Sequence, residues 1–285
     1  MLFPRTTIIG IGLIGGSFAL AAKRAGLVGE VVGVARSVTT RALALECGAA
    51  DYVTADAAEA VREADLVYLA APIGAILSSL AELGPHLKPG ALVTDAGSTK
   101  ARIVAAAEAL PEAVSFVGGH PMAGSEQAGV AAARADLFRG ATYFLTPTET
   151  TVPETLEKML ELVHGIGAEP LVVEAELHDE MVAMTSHLPH ALAWALCTAA
   201  AQADVPEALA AFTAGAWRDT TRIADSPEEV WADIFLSNPG NLAAAARGFR
   251  AELDELLEIV ERGDREALLD YLACSREAHR RIAEA

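Results

Sequence analysis

Thr6-Thr7-Ile8-Ile9-Gly10-Ile11-Gly12-Leu13-Ile14-Gly15-Gly16 decides the fold of this chain. A short β-type run, three glycines at G-x-G-x-x-G spacing and the start of a helix-patterned segment at Ile14 follow one another there. That is the context a dinucleotide-binding turn requires. In such a turn Gly10 permits the tight bend, Gly12 lets the backbone approach a diphosphate, and Gly15 lets helix and strand pack closely. The helix also aims the positive end of its dipole at the anion. The rest of the chain makes that local positive end necessary: 39 acidic against 21 basic residues give a formal charge of -18 at pH 7. The same excess repels nucleic acid and anionic membranes, so neither is expected as a partner.

Working outward, strand-type runs are predicted at Thr6–Ile11, Glu30–Val34, Leu66–Ala70, Ala91–Thr94, Ser115–Gly118, Thr142–Leu145 and Pro170–Val173. Helical text lies between them at Ile14–Ala25, Thr39–Cys47, Ile73–Glu82, Lys100–Ala109 and Pro153–His164. Apolar strands alternating with helices imply a mostly parallel sheet covered on both faces, the doubly wound α/β plan of a Rossmann domain. From about Glu174 the strand signals stop. Ala/Leu/Glu-rich segments at Leu177–Ala203, Pro206–Ala214, Pro227–Leu236, Asn241–Arg262 and Arg265–Glu284 then carry apolar residues at helical spacing. The expected division is residues 1–174 for the Rossmann domain and 175–285 for an all-helical one. Cys47, Cys197 and Cys274 have no metal-type spacing; they read as three buried small residues in a reducing cytoplasm, and no metal site is evident. No apolar run is long enough to span a bilayer.

The second strand of a Rossmann unit commonly ends, roughly 20 residues past the glycines, in an acid that binds the ribose hydroxyls of NAD. Counting from Gly15 reaches Ala35, followed by Arg36 and Ser37, with Thr39, Thr40 and Arg41 close behind. A guanidinium among hydroxyls suits a 2′-phosphate, so NADP is favoured over NAD; a merely solvated Arg36, or one stacked on adenine, is the alternative. Gly10, Gly12, Leu13, Ile14, Gly15, Arg36 and Ser37 form the expected cofactor site.

Chemistry-bearing residues gather at strand ends. Gly118-Gly119-His120-Pro121-Met122-Ala123-Gly124-Ser125-Glu126 follows one predicted strand and Asp95-Ala96-Gly97-Ser98-Thr99-Lys100 another. Carboxyl ends of strands face the ligand crevice in such sheets, so His120 is placed to accept a proton near neutral pH, with the Ser98 hydroxyl beside it. Further on, Ser186-His187-Leu188-Pro189-His190 lies in apolar helical text and Trp217-Arg218-Asp219-Thr220-Thr221-Arg222 interrupts it. Cations buried there would need anions, either Asp219 or a substrate carboxylate, and spacing alone favours neither.

Together these stretches resemble the prephenate/arogenate dehydrogenase family of tyrosine biosynthesis. Gly10 to Gly16, Thr94 to Lys100, Gly119 to Glu126, Ser186 to His190 and Arg218 to Arg222 carry the resemblance, in family order over nearly the whole chain. It implies NAD(P)-dependent oxidative decarboxylation of a cyclohexadienol, and a helical domain forming most of a homodimer interface. His120 would deprotonate the ring hydroxyl with help from Ser98; Arg222 would clamp a substrate carboxylate; His187 would contact the side chain. Glu126 would gate the pocket mouth, and Asp219 would orient these groups. Prephenate is the leading substrate and arogenate the nearest rival. A β-hydroxyacid dehydrogenase is more remote, because that group relies on a lysine in its second domain and no Lys follows Lys158. A non-catalytic dinucleotide sensor would have no need of the histidine, serine and arginine.

Overall fold

β1 (Phe3–Ile9), whose last four residues Thr6 to Ile9 are buried, is an interior strand of an eight-stranded sheet ordered β3-β2-β1-β4-β5-β6-β7-β8. The computed structural model describes residues 1–125, 127–203 and 206–283. The other strands are β2 (Val28–Val34), β3 (Tyr52–Thr54), β4 (Leu66–Leu69), β5 (Leu92–Asp95), β6 (Ser115–Pro121), β7 (Thr142–Pro147) and β8 (Glu169–Val172). Pairing is parallel throughout except between β6 and β7, where His120 lies opposite Phe144. The reversal has a local cause. Among the described residues, the segment joining those strands holds only the 3₁₀ turn Val130–Ala132 and not the helix a parallel crossover needs. The expected mostly parallel sheet is therefore present, with β3 added at an edge, a strand too short for a periodic signal.

Helices α1 (Leu13–Arg24), α2 (Val38–Glu46), α3 (Ala57–Ala60), α4 (Ile73–Leu83), α5 (Ala101–Ala107) and α6 (Pro153–Gly165) connect the strands. Two apolar cores result, one on each face. Phe18 stacks on Tyr68 at 3.9 Å in the first, while Ile76, Val67 and Ile103 fill the second. Strand order reverses between β1 and β4, so the crevice opens at the carboxyl ends of these strands, the usual ligand position in such sheets.

After β8 the described chain is helical: α7 (Ala175–Val182), α8 (Leu188–Ala201), α9 (Pro206–Leu209), α10 (Gly215–Thr221), α11 (Glu228–Ser237), α12 (Pro239–Glu261) and α13 (Arg265–Ala283). Two expectations need correction here. Trp217–Thr221 do not interrupt the helical text but form most of α10. The predicted single helix from Leu177 to Ala203 is parted by a π-helical stretch, Ala183–His187. Pro189 explains it: its ring has no N–H for the Thr185 carbonyl and crowds that oxygen, so the preceding turn widens.

The helical half grips the sheet half through α11. Ile234 enters the second core beside Trp231 and Phe235, the Asp233 carboxylate accepts the Gly74 N–H at 3.3 Å, and Arg102 donates to the Leu236 carbonyl at 3.1 Å. The cysteines also depart from expectation. Cys47 and Cys274 are exposed and Cys197 is half-buried, because Cys47 ends an outer helix and no residue of α13 is buried; all three are free thiols. No helix among the described residues is long and apolar enough to cross a membrane.

Candidate active site

At the glycine turn, space and backbone conformation explain the residue types. Gly10 has φ +88°, and a Cβ there would lie 2.6 Å from the Ala70 carbonyl oxygen. A Cβ on Gly15 would lie 2.5 Å from the Gly10 carbonyl oxygen, so a side chain there would force α1 from β1, while one on Gly10 would drive the turn off the end of β4. Gly12 differs: nothing lies within 4 Å of its missing Cβ. It caps α1 with no side-chain hydrogen bond, leaving the first N–H groups of that helix to an outside acceptor. Above it opens a cleft of about 800 Å³ lined by Gly10, Gly12, Arg36, Ser37, Thr40 and Pro72 among others. Open space, unclaimed N–H groups and a helix dipole fit a diphosphate. Leu13 and Ile14 open α1 and are half-buried against the first core.

At the far end of the cleft β2 turns into α2. Ser37 caps α2 by accepting the Thr40 N–H at 3.3 Å, which leaves its own O–H free to donate. Arg41 folds back to donate to the carbonyls of Ala35 and Arg36 at 2.7 and 2.8 Å, and the Arg36 side chain stands exposed on the cleft wall. The structure thus gathers Gly10, Gly12, Arg36 and Ser37 around one cavity.

A buried ion pair ties β5 to β6. Asp95 and Lys100 are fully buried and bonded to each other. Asp95 also accepts the N–H of Gly97 at 2.7 Å and of Gly119 at 3.1 Å, while the Lys100 ammonium donates to the Gly119 carbonyl at 2.6 Å. Both polar groups of Gly119 are thereby held, and the next residue is His120. Burial pushes the Lys100 ammonium below its usual range, and the adjacent Asp95 opposes that.

The His120 ring is half-buried, with Nδ1 2.8 Å from Nε2 of His178. Nδ1 of His178 lies 2.8 Å from the Asp179 carboxylate. That carboxylate accepts the N–H of Lys100 at 2.6 Å and of Ala101 at 3.0 Å, so α7 caps the start of α5. Asn238, between α11 and α12, donates to the Asp179 carbonyl at 2.7 Å and faces Nδ1 of His187 at 3.5 Å. Thr99 donates to Ser237 at 2.9 Å. Burial drives the His120 ring well below the ordinary histidine range, and His178, Lys100 and His187 add to the effect. Burial likewise lowers His187 to about 4, against the pull of Asp179. An imidazole kept unprotonated at neutral pH can accept a proton from a hydroxyl.

Residues 18–172 match the family model for the prephenate dehydrogenase nucleotide-binding domain, and residues 174–274 match the one for the prephenate dehydrogenase dimerization domain. The chain belongs to the prephenate dehydrogenase family. It is 36% identical over 273 residues to the prephenate dehydrogenase of Bacillus subtilis strain 168, an alignment covering 95% of this chain and 74% of that one. The crystal structure of the Aquifex aeolicus prephenate dehydrogenase in complex with hydroxyphenyl propionate and NAD+ is similar with a TM-score of 0.91 at 33% identity, covering 98% of both chains. Synechocystis arogenate dehydrogenase is similar with a TM-score of 0.85 at 31% identity, covering 98% of this chain and 99% of that one.

The residues picked out by resemblance to the prephenate dehydrogenase family separate into three groups. His120 and His187 lie in one network, and Ser98 is half-buried next to Thr99 and Lys100. Asp219 is exposed on α10, and Arg222 is exposed at the first position of the 3₁₀ turn Arg222–Asp225, which Trp194 of α8 holds by donating to the Ala224 carbonyl at 2.8 Å. Arg218 on α10 and Arg222 just after it are both exposed in the single chain, so the cost of burying a cation among apolar neighbours does not arise there. Glu126 lies outside the described residues. Sequence reasoning missed His178, Asp179, Asn238 and the Asp95–Lys100 pair. A signal existed: Ala175, His178, Asp179 and Val182 are the buried residues of α7, at the i, i+3, i+4, i+7 spacing of an inward stripe.

Proposed function

We propose that this protein is a prephenate dehydrogenase that oxidises the cyclohexadienol ring of prephenate with loss of its carboxylate as CO₂, giving 4-hydroxyphenylpyruvate. The observation that carries this reading is His120, held at the end of β6 by a network drawn from both halves of the chain and pushed by burial below the ordinary histidine range, in a member of this family. When bound in the cleft over Gly12, the nicotinamide dinucleotide supplies the two-electron acceptor. His120 takes the proton of the ring hydroxyl as the carbinol C–H electrons leave. Decarboxylation then restores aromaticity, so the protein chiefly contributes orientation, a base and charge complementarity. By the family resemblance Ser98 is assigned to the same hydroxyl, Arg222 to a substrate carboxylate, His187 to the side chain, Glu126 to a gate at the pocket mouth and Asp219 to orienting these groups.

NADP is the favoured dinucleotide. Arg36 with Ser37 and Thr40 on the cleft wall supports this, since a guanidinium and a free O–H match a phosphate better than a ribose hydroxyl. A homodimer is the working unit, divided at residue 174 into cofactor and helical domains. Leu253, Leu257, Val260, Leu269 and Leu272 are exposed along α12 and α13, an apolar surface that a second copy would cover. Three free thiols accord with the cytoplasm. Arogenate is the rival substrate, differing by an ammonium in place of the keto group.

The test is turnover of purified protein with prephenate or arogenate, each with NAD or NADP, following reduced dinucleotide by absorbance. Prephenate with NADP should be fastest, and His120→Asn should lower kcat by about a hundredfold or more. Silence in all four mixtures rejects the assignment, and a clear preference for NAD rejects the role given to Arg36.

A further inference from the structure

With one proton on each ring, the chain Asp179–His178–His120 is directional. A carboxylate only accepts, so Nδ1 of His178 must carry the hydrogen it shares with Asp179 at 2.8 Å. Nε2 of His178 is then a bare acceptor, and the 2.8 Å contact with His120 requires Nδ1–H on His120. The remaining nitrogen of His120, Nε2, is left with its lone pair. We propose that His178 and Asp179 are positioning residues that lock His120 in the Nδ1–H tautomer, so that Nε2 is the atom that receives the substrate proton.

The geometry makes this lock stiff. Asp179 cannot swing away, because its two oxygens also hold the N–H groups of Lys100 and Ala101. His178 is buried and packs edge-on against Phe144 at 5.1 Å between centroids, which fixes its ring plane. The groups facing His120 are His178 from α7, Lys100 ahead of α5, His187 from the π-helical stretch and Phe144 from β7. Among these His178 is the one bonded to the ring. Protonating His178 would reverse the chain: its Nε2–H would donate to Nδ1 of His120, place the hydrogen of His120 on Nε2 and block proton acceptance. During turnover the substrate O–H bond breaks and the Nε2–H bond forms. Nδ1–H stays in place, and the positive charge then sits beside an acceptor backed by a fixed carboxylate.

This inference rests on His120 being the base, and two readouts separate the ideas. In ¹⁵N-histidine-labelled protein, with the His120 signals identified by their loss in His120→Asn, long-range ¹H–¹⁵N spectra should show Nδ1 protonated and Nε2 bare. Replacing His178 by Leu should shift His120 toward the Nε2–H form and lower kcat by roughly 10- to 100-fold with KM little changed. Glutamine at the same position, whose amide oxygen can accept the Nδ1–H, should recover a large part of the loss and return the tautomer. An Nε2–H ring in the wild type, or equal kcat for His178→Leu and His178→Gln at matched melting temperature, overturns the proposal. Should His178→Leu fail to fold, the wild-type spectrum and the Gln variant still decide. Full turnover in His120→Asn would instead refute the base, leaving the tautomer result intact.

Discussion

Lys100→Met tests whether the buried pair beneath His120 holds the site together. The substitution keeps length and apolar bulk while removing the ammonium from a position with no solvent access. Asp95 would retain the N–H groups of Gly97 and Gly119 but lose its countercharge, and the Gly119 carbonyl would lose its 2.6 Å donor. Removing one partner of a buried pair costs about 3–5 kcal/mol, since the other charge stays desolvated. At roughly 2–4 °C per kcal/mol for chains near this size, the melting temperature should fall by about 10 °C. The double variant Asp95→Asn/Lys100→Met removes both charges and should melt above Lys100→Met alone. Thermal unfolding at fixed protomer concentration measures both, because the proposed dimer would make melting depend on concentration. A drop of under about 2 °C for the single variant, or a double variant that melts below Lys100→Met, would refute the argument that the pair is coupled and desolvated.

Three further outcomes follow from the same geometry. Gly12→Ala places its methyl in open space, so melting of the free protein should be unchanged, whereas the dinucleotide Kd measured by calorimetry should rise tenfold or more, about 1.4 kcal/mol or greater, because the methyl stands where a diphosphate approaches. Arg36→Ala should raise KM for NADP by about tenfold and leave KM for NAD within about twofold, since a charge-assisted contact of about 1.5–3 kcal/mol is lost for one cofactor only. Two histidines depressed by burial set the pH behaviour. The unfolded chain binds protons to both below about pH 6.5 while the folded one does not, so stability is full above that pH and is lost as pH falls toward about 4, where His187 protonates. Melting followed across that range should decline with acid, and the acid limb of kcat/KM should lie below the ordinary histidine range; a flat melting profile would contradict the burial of these rings.

Most of the sheet half was legible because local sequence and global fold agree there. Apolar strand text, the glycine turn and intervening helices each point to the same doubly wound plan. What escaped was what local pattern does not encode. β3 offers three residues, too few for a period, and the antiparallel entry of β7 depends on what the segment after Pro121 fails to form. In the helical half Pro189, the second residue of α8, widens the preceding turn into the π-helical stretch, which apolar spacing over Leu177–Ala203 does not register. The exposed thiols show a further limit: apolar residue type gives average burial, and Cys274 sits on a helix with no buried face in the single chain.

The site was half legible for a different reason. Ser98 lies three residues past β5 and His120 is the next-to-last residue of β6, both near the carboxyl ends that border the crevice, so position along the chain was enough to select them as candidates. His178 and Asp179 sit in Ala175-Glu176-Leu177-His178-Asp179-Glu180, which by composition is a solvated acidic helix. The inward stripe of α7 is polar because its partners, Lys100 and Ala101, lie 79 and 78 positions away on another element. A buried polar group is tolerable only where it is hydrogen-bonded, and those bonds are long-range. Periodicity that counts apolar residues alone therefore discards the residues a buried polar network is built from. Counting His, Asp and Asn as admissible stripe members on helices that flank a candidate base would have selected the pair on α7. It would also have predicted their shared function: two polar residues can afford the interior of one helix only if something across the domain joint answers both, and here the backbone of α5 and the ring of His120 do.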